Sequence, residues 1–464
     1  MGAFLKKIAY PLIFIFFLFS ETTLASGLLP VQIESVIRQS NIALEGLTIK
    51  AVEDNGQELF SFNSDKLTPI ASTAKIVTTL AALETLGPAF SWETRFYADS
   101  YPQKGKIQTL YIRGGLDPHY VYEDLVKDAL ALSSMGIREI GNIVIDRSVF
   151  ESGGGVPSDG QTARSYNQKA DATLFNFNAV VLRIVPNENS KRALIVPEID
   201  VSGLVLPKSV PLGKGPCQTW RSSIRSDFSD RAHPRFKGFF PSGCGERFIT
   251  YSFGEENSLW AGALRATLPK FGIQFRGGVK AGVTPQKAHL LLTHTGKKLT
   301  EIVQLTNKFS NNVSARHIFL SLAHGSEKVS YRQSQKKLSA WLKTHGITSG
   351  ISLENGSGLS KNTKATADVM IDVLSAGLAS PYSYEWISSF PIASVDGTMK
   401  NRHSAAGRAH IKTGQLSDVR SIAGIVEGKN GRKILVFAAY QGKNAHEAIP
   451  VLDTILAVCA SQKD

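Results

Sequence analysis

Apolar and polar positions along the chain fall into three successive textures. In the first, the pattern predicts a helix over 31–38 and a hairpin of two strands, 47–53 and 59–63, turned at Asp54-Asn55-Gly56. A second helix is expected over 72–86, stopped by Gly87. Its residues Ile76, Val77, Leu80, Ala81, Ala82 and Leu83 make it apolar nearly all round, which places it in the interior rather than on a surface. From 92 to 290 the texture changes to short strand-like runs, at 110–113, 141–146, 193–196 and 248–253, set between Gly, Pro, Ser and Asp clusters. Helical spacing returns over 299–309, 313–324, 331–344 and 367–378, followed by strands at 408–414, 419–427 and 433–441 and a closing helix over 446–459. The order predicts an α+β fold in which one domain, 26–91 with 291–464, is built from both ends of the chain. The β-rich region 92–290 is inserted into it as two small domains, about 92–165 with 250–290 and about 166–249.

Composition changes this picture little, and the first residues change it more. With 464 residues, 42% hydrophobic and 20% charged, the chain has the make-up of a globular protein of two or three domains. The net charge of +13 points to anionic surroundings, whether a membrane surface or a wall polymer. Nucleic acid is not indicated, because no basic run is interleaved with aromatics. Lys6 and Lys7 precede an apolar run over 8–19 and the small-x-small sequence Thr23-Leu24-Ala25. This pattern predicts a secretory signal, 1–25, cleaved after about Ala25, with an uncleaved anchor as the alternative. Export permits disulfides, and Cys217 and Cys244, in Gly/Pro-rich surroundings, are the expected pair. Cys459 lies in the apolar pattern of the closing helix as an inert thiol. Two cysteines without a His cluster do not make a metal site, and no cofactor is implied.

Three motifs carry the chemistry: Ser72-Thr73-Ala74-Lys75, Ser310-Asn311-Asn312 and Lys412-Thr413-Gly414. A serine becomes a nucleophile when an amine close by can take its proton, and Lys75 lies one helical turn from Ser72 on the same face. At a helix start, free N–H groups favour the negative charge of acyl transfer. Burial would leave Lys75 as a free amine. Each motif alone is weak, since Ser334-Gln335-Lys336-Lys337 repeats the first and Ser61-Phe62-Asn63, Ser165-Tyr166-Asn167 and Ser360-Lys361-Asn362 repeat the second. His294-Thr295-Gly296 approaches the third but precedes Ser310. Context separates them: only Ser72 opens an apolar helix, Ser310 lies between two helical stretches, and Gly414 lets a substrate backbone approach its strand.

Together the three motifs resemble the active-site set of penicillin-recognising serine D,D-peptidases. About half the chain separates the first from the second. That insertion resembles one branch in particular, the D-alanyl-D-alanine carboxypeptidase/endopeptidase family of low-molecular-mass class C penicillin-binding proteins. Supporting segments are Gly114-Gly115-Leu116-Asp117-Pro118, Glu354-Asn355-Gly356-Ser357-Gly358-Leu359-Ser360 and Val395-Asp396-Gly397-Thr398. The resemblance implies a β-lactamase/D,D-peptidase-like domain with a five-stranded antiparallel sheet flanked by helices. It implies a periplasmic enzyme that cleaves peptidoglycan stem peptides through a seryl acyl-enzyme and is acylated by β-lactams.

In that reading Ser72 is the nucleophile and Lys75 its base. Ser310 and Lys412 relay a proton to the leaving amine, and Asn312 holds the peptide amide. Lys412 and Thr413 bind the terminal carboxylate, while the backbone N–H groups of Ser72 and Gln415, next to Gly414, form an oxyanion hole. Asn311 stands where the family commonly has Asp, and Gln415 where it often has Thr. The alternatives are a β-lactamase and a catalytically silent wall-binding scaffold. An α/β-hydrolase is disfavoured because no G-x-S-x-G elbow occurs.

Overall fold

The computed structural model describes residues 29–151, 168–254, 257–429 and 431–462. The expected signal segment with its cleavage site at Ala25 lies outside them, as does Ser165-Tyr166-Asn167. The central sheet is five-stranded and antiparallel. Its order is Ala409–Gln415, Val419–Glu427, Lys433–Gln441, Leu47–Glu53 and Glu58–Phe62, so strands from the two ends of the chain pair in register, with Ile49 opposite Ala438. The middle strand is apolar from Ile434 through Tyr440 because helices cover both faces.

Side chains sort by the two-residue period of the strand. Ile434, Val436 and Ala438 join Ile33, Ile455 and Leu456 of the terminal helices Val31–Gln39 and Ile449–Ser461. Leu435, Phe437 and Ala439 face the other way, into the cluster of Val77, Leu80 and Leu374 from the helices Ala74–Leu86 and Ala367–Ala379. The Ala74–Leu86 helix, called here the serine helix, is buried from Ala74 through Leu83 and stops at Gly87, whose φ of 81° suits glycine.

Among the described residues the inserted region holds two larger sheets and a two-stranded one, Ile224–Asp227 with Arg235–Gly238. One larger sheet contains Ser91–Ala98, Lys106–Arg113, Glu139–Asp146 and His289–Lys298; the other contains Ala179–Asn187, Arg192–Pro197, Ser209–Gly213 and Arg247–Ser252. A common apolar cluster runs through both, from Phe96 and Ile112 to Leu182 and Trp260. The strand His289–Lys298 keeps the chain in the inserted region past 290. Cys217 and Cys244 are joined as a disulfide, Cα–Cα 5.2 Å. Cys459 is buried and free, and burial pushes its thiol up to about 12.

Further differences from the sequence expectation lie at the serine helix, the closing helix and within the inserted region. The helix expected from Ser72 begins at Ala74, because Ser72 sits in a 3-10 turn, Ala71–Thr73. The closing helix starts at Ile449 rather than His446, with Pro450 in its first turn, where no N–H is missed. The inserted region is not purely strands. Helix Tyr122–Ser134 links the parallel pair Lys106–Arg113 and Glu139–Asp146, and helix Ser258–Thr267 packs in the shared core. A parallel pair needs such a crossover. Among the described residues no helix is long and apolar enough to cross a membrane.

Candidate active site

The chain reaches Ser72 through a constrained approach. Strand Thr68–Pro69 pairs with Lys364–Ala365, Ala71 adopts a left-handed φ of 47°, and Thr73 donates both its N–H and its hydroxyl to Ile70 O. A non-glycine residue in that region stores strain of order 1–3 kcal/mol, which packing must hold. The turn feeds into the serine helix, so Ser72 lies at its positive end.

Lys75 is wholly buried and its Nζ has three neighbours: Ser72 Oγ at 2.9 Å, Asn312 Oδ1 at 2.7 Å and Ser357 O at 2.5 Å. Two of these can only accept. A free amine has two N–H bonds and one lone pair, so donating to Asn312 and Ser357 leaves the lone pair facing the Ser72 hydroxyl. The Ser357 carbonyl is fixed in turn, since Asn355 Oδ1 accepts from both the N–H and the hydroxyl of Ser357.

Gly358 follows at φ 76°, and a Cβ there would fall 1.9 Å from Ala71 O and 3.0 Å from Ser72 N. Gly358→Ala is therefore expected to push the nucleophile turn out of place. Acylation by a fluorescent penicillin should fall at least about tenfold, consistent with the cost of a small misplacement of reacting groups, and the melting temperature should drop.

The second motif forms the connection between helices Leu299–Lys308 and Asn312–Ser321. Asn311 Oδ1 caps the second helix by accepting from Val313 N and Ser314 N, which turns its side chain to a structural task. Ser310 is left-handed, φ 56°, and its hydroxyl accepts from Lys412 Nζ at 2.9 Å. Lys412 also donates to Thr413 O at 2.6 Å, and Thr413 Oγ1 bonds Thr398 Oγ1 at 2.8 Å.

Hydrogen bonding across the sheet alternates, so the direction of each N–H on Ala409–Gln415 follows from its neighbours. Leu416 N donates to Val419 O, while Ile411 N turns outward and donates to Pro391 O. The same alternation turns the N–H groups of Thr413 and Gln415 outward at the sheet edge, beside Ser72. Gly414 packs tightly: a Cβ there would lie 2.2 Å from Ser421 Oγ and 2.9 Å from Ile70 O.

Ser72, Ser310, Asn312, Thr413, Gly414 and Gln415 line one cleft of about 810 Å³. Lys75 and Lys412 lie behind its wall, both with no exposed surface. Burial drives the Lys75 ammonium well below the usual lysine range, assisted by the charges of Lys412 and Arg316. Burial alone brings Lys412 down to about 7. The cleft lining also includes residues that the three motifs did not signal: Lys361, paired with Asp418 at 2.9 Å, Arg402, paired with Asp453 at 2.5 Å, and Arg420, whose Nη1 donates to Leu416 O and Val419 O. Of these, Arg420 has no carboxylate partner among the described residues and is the cation that suits a substrate carboxylate.

Of the competing motif matches, Ser360-Lys361-Asn362 adjoins the cleft through Lys361, whereas those at Ser334 and His294 lie elsewhere. Ser334 is buried within the Tyr331–Thr344 helix and bonds Leu320 O and Ser330 O. His294 sits in an inserted sheet beside Asp128. Among the described residues no group of three or more His, Cys, Asp or Glu side chains is placed to hold a metal ion.

Over residues 29–459 the chain matches the D-Ala-D-Ala carboxypeptidase 3 (S13) family. It is 28% identical over 425 residues to a D-alanyl-D-alanine carboxypeptidase of an Actinomadura species, spanning 84% of this chain and 77% of that one. To the D-alanyl-D-alanine carboxypeptidase DacB of Haemophilus influenzae it is 25% identical over 451 residues, spanning 89% and 91%. Among solved structures it is similar to penicillin binding protein 4 of Haemophilus influenzae, with a TM-score of 0.76 and 22% identity, covering 93% of this chain and 100% of that one. A second structure of that protein holds a novel β-lactam. At these identities the structural likeness speaks to the α+β fold.

Proposed function

Since the chain belongs to the D-Ala-D-Ala carboxypeptidase 3 (S13) family, we propose that its cleft works as a serine D,D-peptidase on peptidoglycan stem peptides, with Ser72 as nucleophile and Lys75 as base. The observation that carries this reading is the environment of Lys75 Nζ, with two fixed acceptors and the Ser72 hydroxyl in the third direction. The stem peptide lies along the Thr413–Gln415 edge as an added strand. Ser72 Oγ attacks the carbonyl of the penultimate D-Ala as its proton passes to Lys75.

The developing oxyanion meets the backbone N–H groups of Ser72 and Gln415, a contribution of about 3–4 kcal/mol per donor in comparable sites. The C–N bond then breaks, and the leaving amine of the terminal D-Ala takes a proton through Ser310 and Lys412. Lys412 and Thr413 hold its carboxylate, and Asn312 holds the peptide amide. The proton that reaches the leaving amine is the one Lys75 took from Ser72, so Lys75 is a free amine again. Water adds to the acyl-enzyme as Lys75 takes a proton from it, the Ser72 Oγ–carbonyl bond breaks, and Lys75 returns the proton to Oγ as the shortened peptide leaves. The same steps open a D-amino-acid cross-link when the leaving amine belongs to a second stem peptide. A β-lactam ring enters as an analogue of the scissile bond and remains on Ser72, because its leaving amine stays tethered.

The charge of +13 favours association with the anionic wall polymer or membrane surface, and the reading assigns the protein to the periplasm after removal of the signal segment. A muropeptide ending in D-Ala-D-Ala is expected to lose free D-Ala in the presence of the enzyme, with nitrocefin turned over far more slowly. Fast nitrocefin hydrolysis without D-Ala release would make the protein a β-lactamase. Neither reaction would leave a wall-binding scaffold.

A further inference from the structure

Arg316 lies four residues after Asn312 on the same helix, on the same face and about 6 Å further along the axis. It has no exposed surface. Its Nη1 donates to Gln168 O, whereas Nε and Nη2 have no acceptor among the described residues. No carboxylate there forms an ion pair with it. An unpaired buried cation is costly, and arginine cannot relieve the cost by losing its proton.

We propose that Arg316 is a positioning residue for acyl transfer: its guanidinium, unpaired among the described residues and one helical turn from the Asn312 side chain that bonds Lys75, keeps the Lys75 Nζ lone pair available to Ser72. This inference rests on the assignment of Ser72 and Lys75 as nucleophile and base.

Among the described residues the neighbouring groups leave that positive field unopposed. The Tyr331 phenol, from the Tyr331–Thr344 helix, is pushed up to about 12 by burial and stays neutral. His317, whose Nδ1 bonds Leu116 O, is held down to about 4 by burial and is neutral above that. The Asp171 carboxylate is committed to Arg147 at 2.7 Å. On the other elements around the serine helix, Lys308 is paired with Asp396, and Glu84 bonds Trp341 and His345 at the far end. Lys412 bears on Lys75 more strongly than Arg316 while it is charged, but with a value of about 7 its charge fades in the neutral range. Arg316 keeps its charge throughout. The seryl proton therefore moves to an amine that is already free, over the whole range in which the lysine beside Ser310 titrates.

The rate of acylation by a fluorescent penicillin, measured against pH and expressed per molecule that can be acylated, tests this in the full chain. In Arg316→Met the acidic limb should move to higher pH by about one unit, a tenfold loss of rate at fixed pH on that limb, with the alkaline plateau kept within a few-fold. Arg316→Lys, which retains a cation, should track the wild type more closely. Arg316→Gln keeps an N–H for Gln168 O and should behave as Arg316→Met, which covers poor folding of the first variant. An unmoved limb in the charge-removing variants, or loss of acylation at every pH in both, would make Arg316 a packing residue and overturn the inference. If the wild type is not labelled, or Ser72→Ala is labelled equally, the underlying assignment fails instead.

Discussion

Ser72→Ala should reduce D-Ala release by about 10⁶-fold and abolish labelling by fluorescent penicillin, while leaving the protein folded. The size follows from the role, because removing the nucleophile of a serine enzyme removes nearly all of the chemistry that the assembled groups perform together. Folding should survive because the 3-10 turn Ala71–Thr73 is held by Thr73 and Ile70, not by the Ser72 hydroxyl. The Ser72 side chain has one hydrogen-bond partner among the described residues, Lys75 Nζ. Melting temperature and substrate affinity, compared with wild type, check that the loss lies in the chemical step. A variant that still releases D-Ala at more than about a thousandth of the wild-type rate would remove Ser72 from the reaction.

Lys75 carries the second large effect. Lys75→Ala should lower the acylation rate by about 10²–10⁴-fold, the range typical for loss of a positioned base. Lys75→Arg should do no better, since a guanidinium supplies charge but cannot accept the proton at any working pH. Lys75→Ala also leaves Asn312 Oδ1 and Ser357 O without their donor, which costs about 1–3 kcal/mol for each buried acceptor.

The pH dependence separates the two lysines. The folded protein depresses the Lys75 value, so the free amine persists as pH falls from the alkaline side and activity is lost only when pH drops through that depressed value. Lys412, at about 7, is charged below that pH and neutral above it. Binding of a peptide that ends in a carboxylate should therefore weaken as pH rises through about 7, seen as a rising KM. The same peptide with an amidated C-terminus should show no such rise. Identical profiles for the two peptides would separate Lys412 from carboxylate binding.

Much of the site was legible because its chemistry is written in side chains at recognisable spacings. Ser72 and Lys75 are one turn apart where an apolar helix begins; that setting separates them from the match at Ser334, as the order of the motifs does from the one at His294. The central sheet was legible as well, since a long apolar run within 433–441 is what a strand covered on both faces requires.

Other features were hidden for physical reasons. The Ser357 carbonyl is a backbone atom, so no residue type announces it, and it reaches Lys75 across 282 positions of sequence. The left-handed φ at Ala71 and Ser310 is imposed by packing, and neither residue type signals it as glycine would. The helices of the inserted region were masked by the punctuated sequence around them, although Leu125, Ala129 and Leu132 are spaced for one buried face. Arg316 reads as an ordinary surface arginine until the fold places it inside.

The most direct test is the site of covalent attachment. After exposure of the wild-type protein to a penicillin, intact mass spectrometry should show a single adduct per chain, and peptide mapping should place it on Ser72. No adduct, or an adduct on any other residue, would contradict the seryl acyl-enzyme on which the proposed function stands.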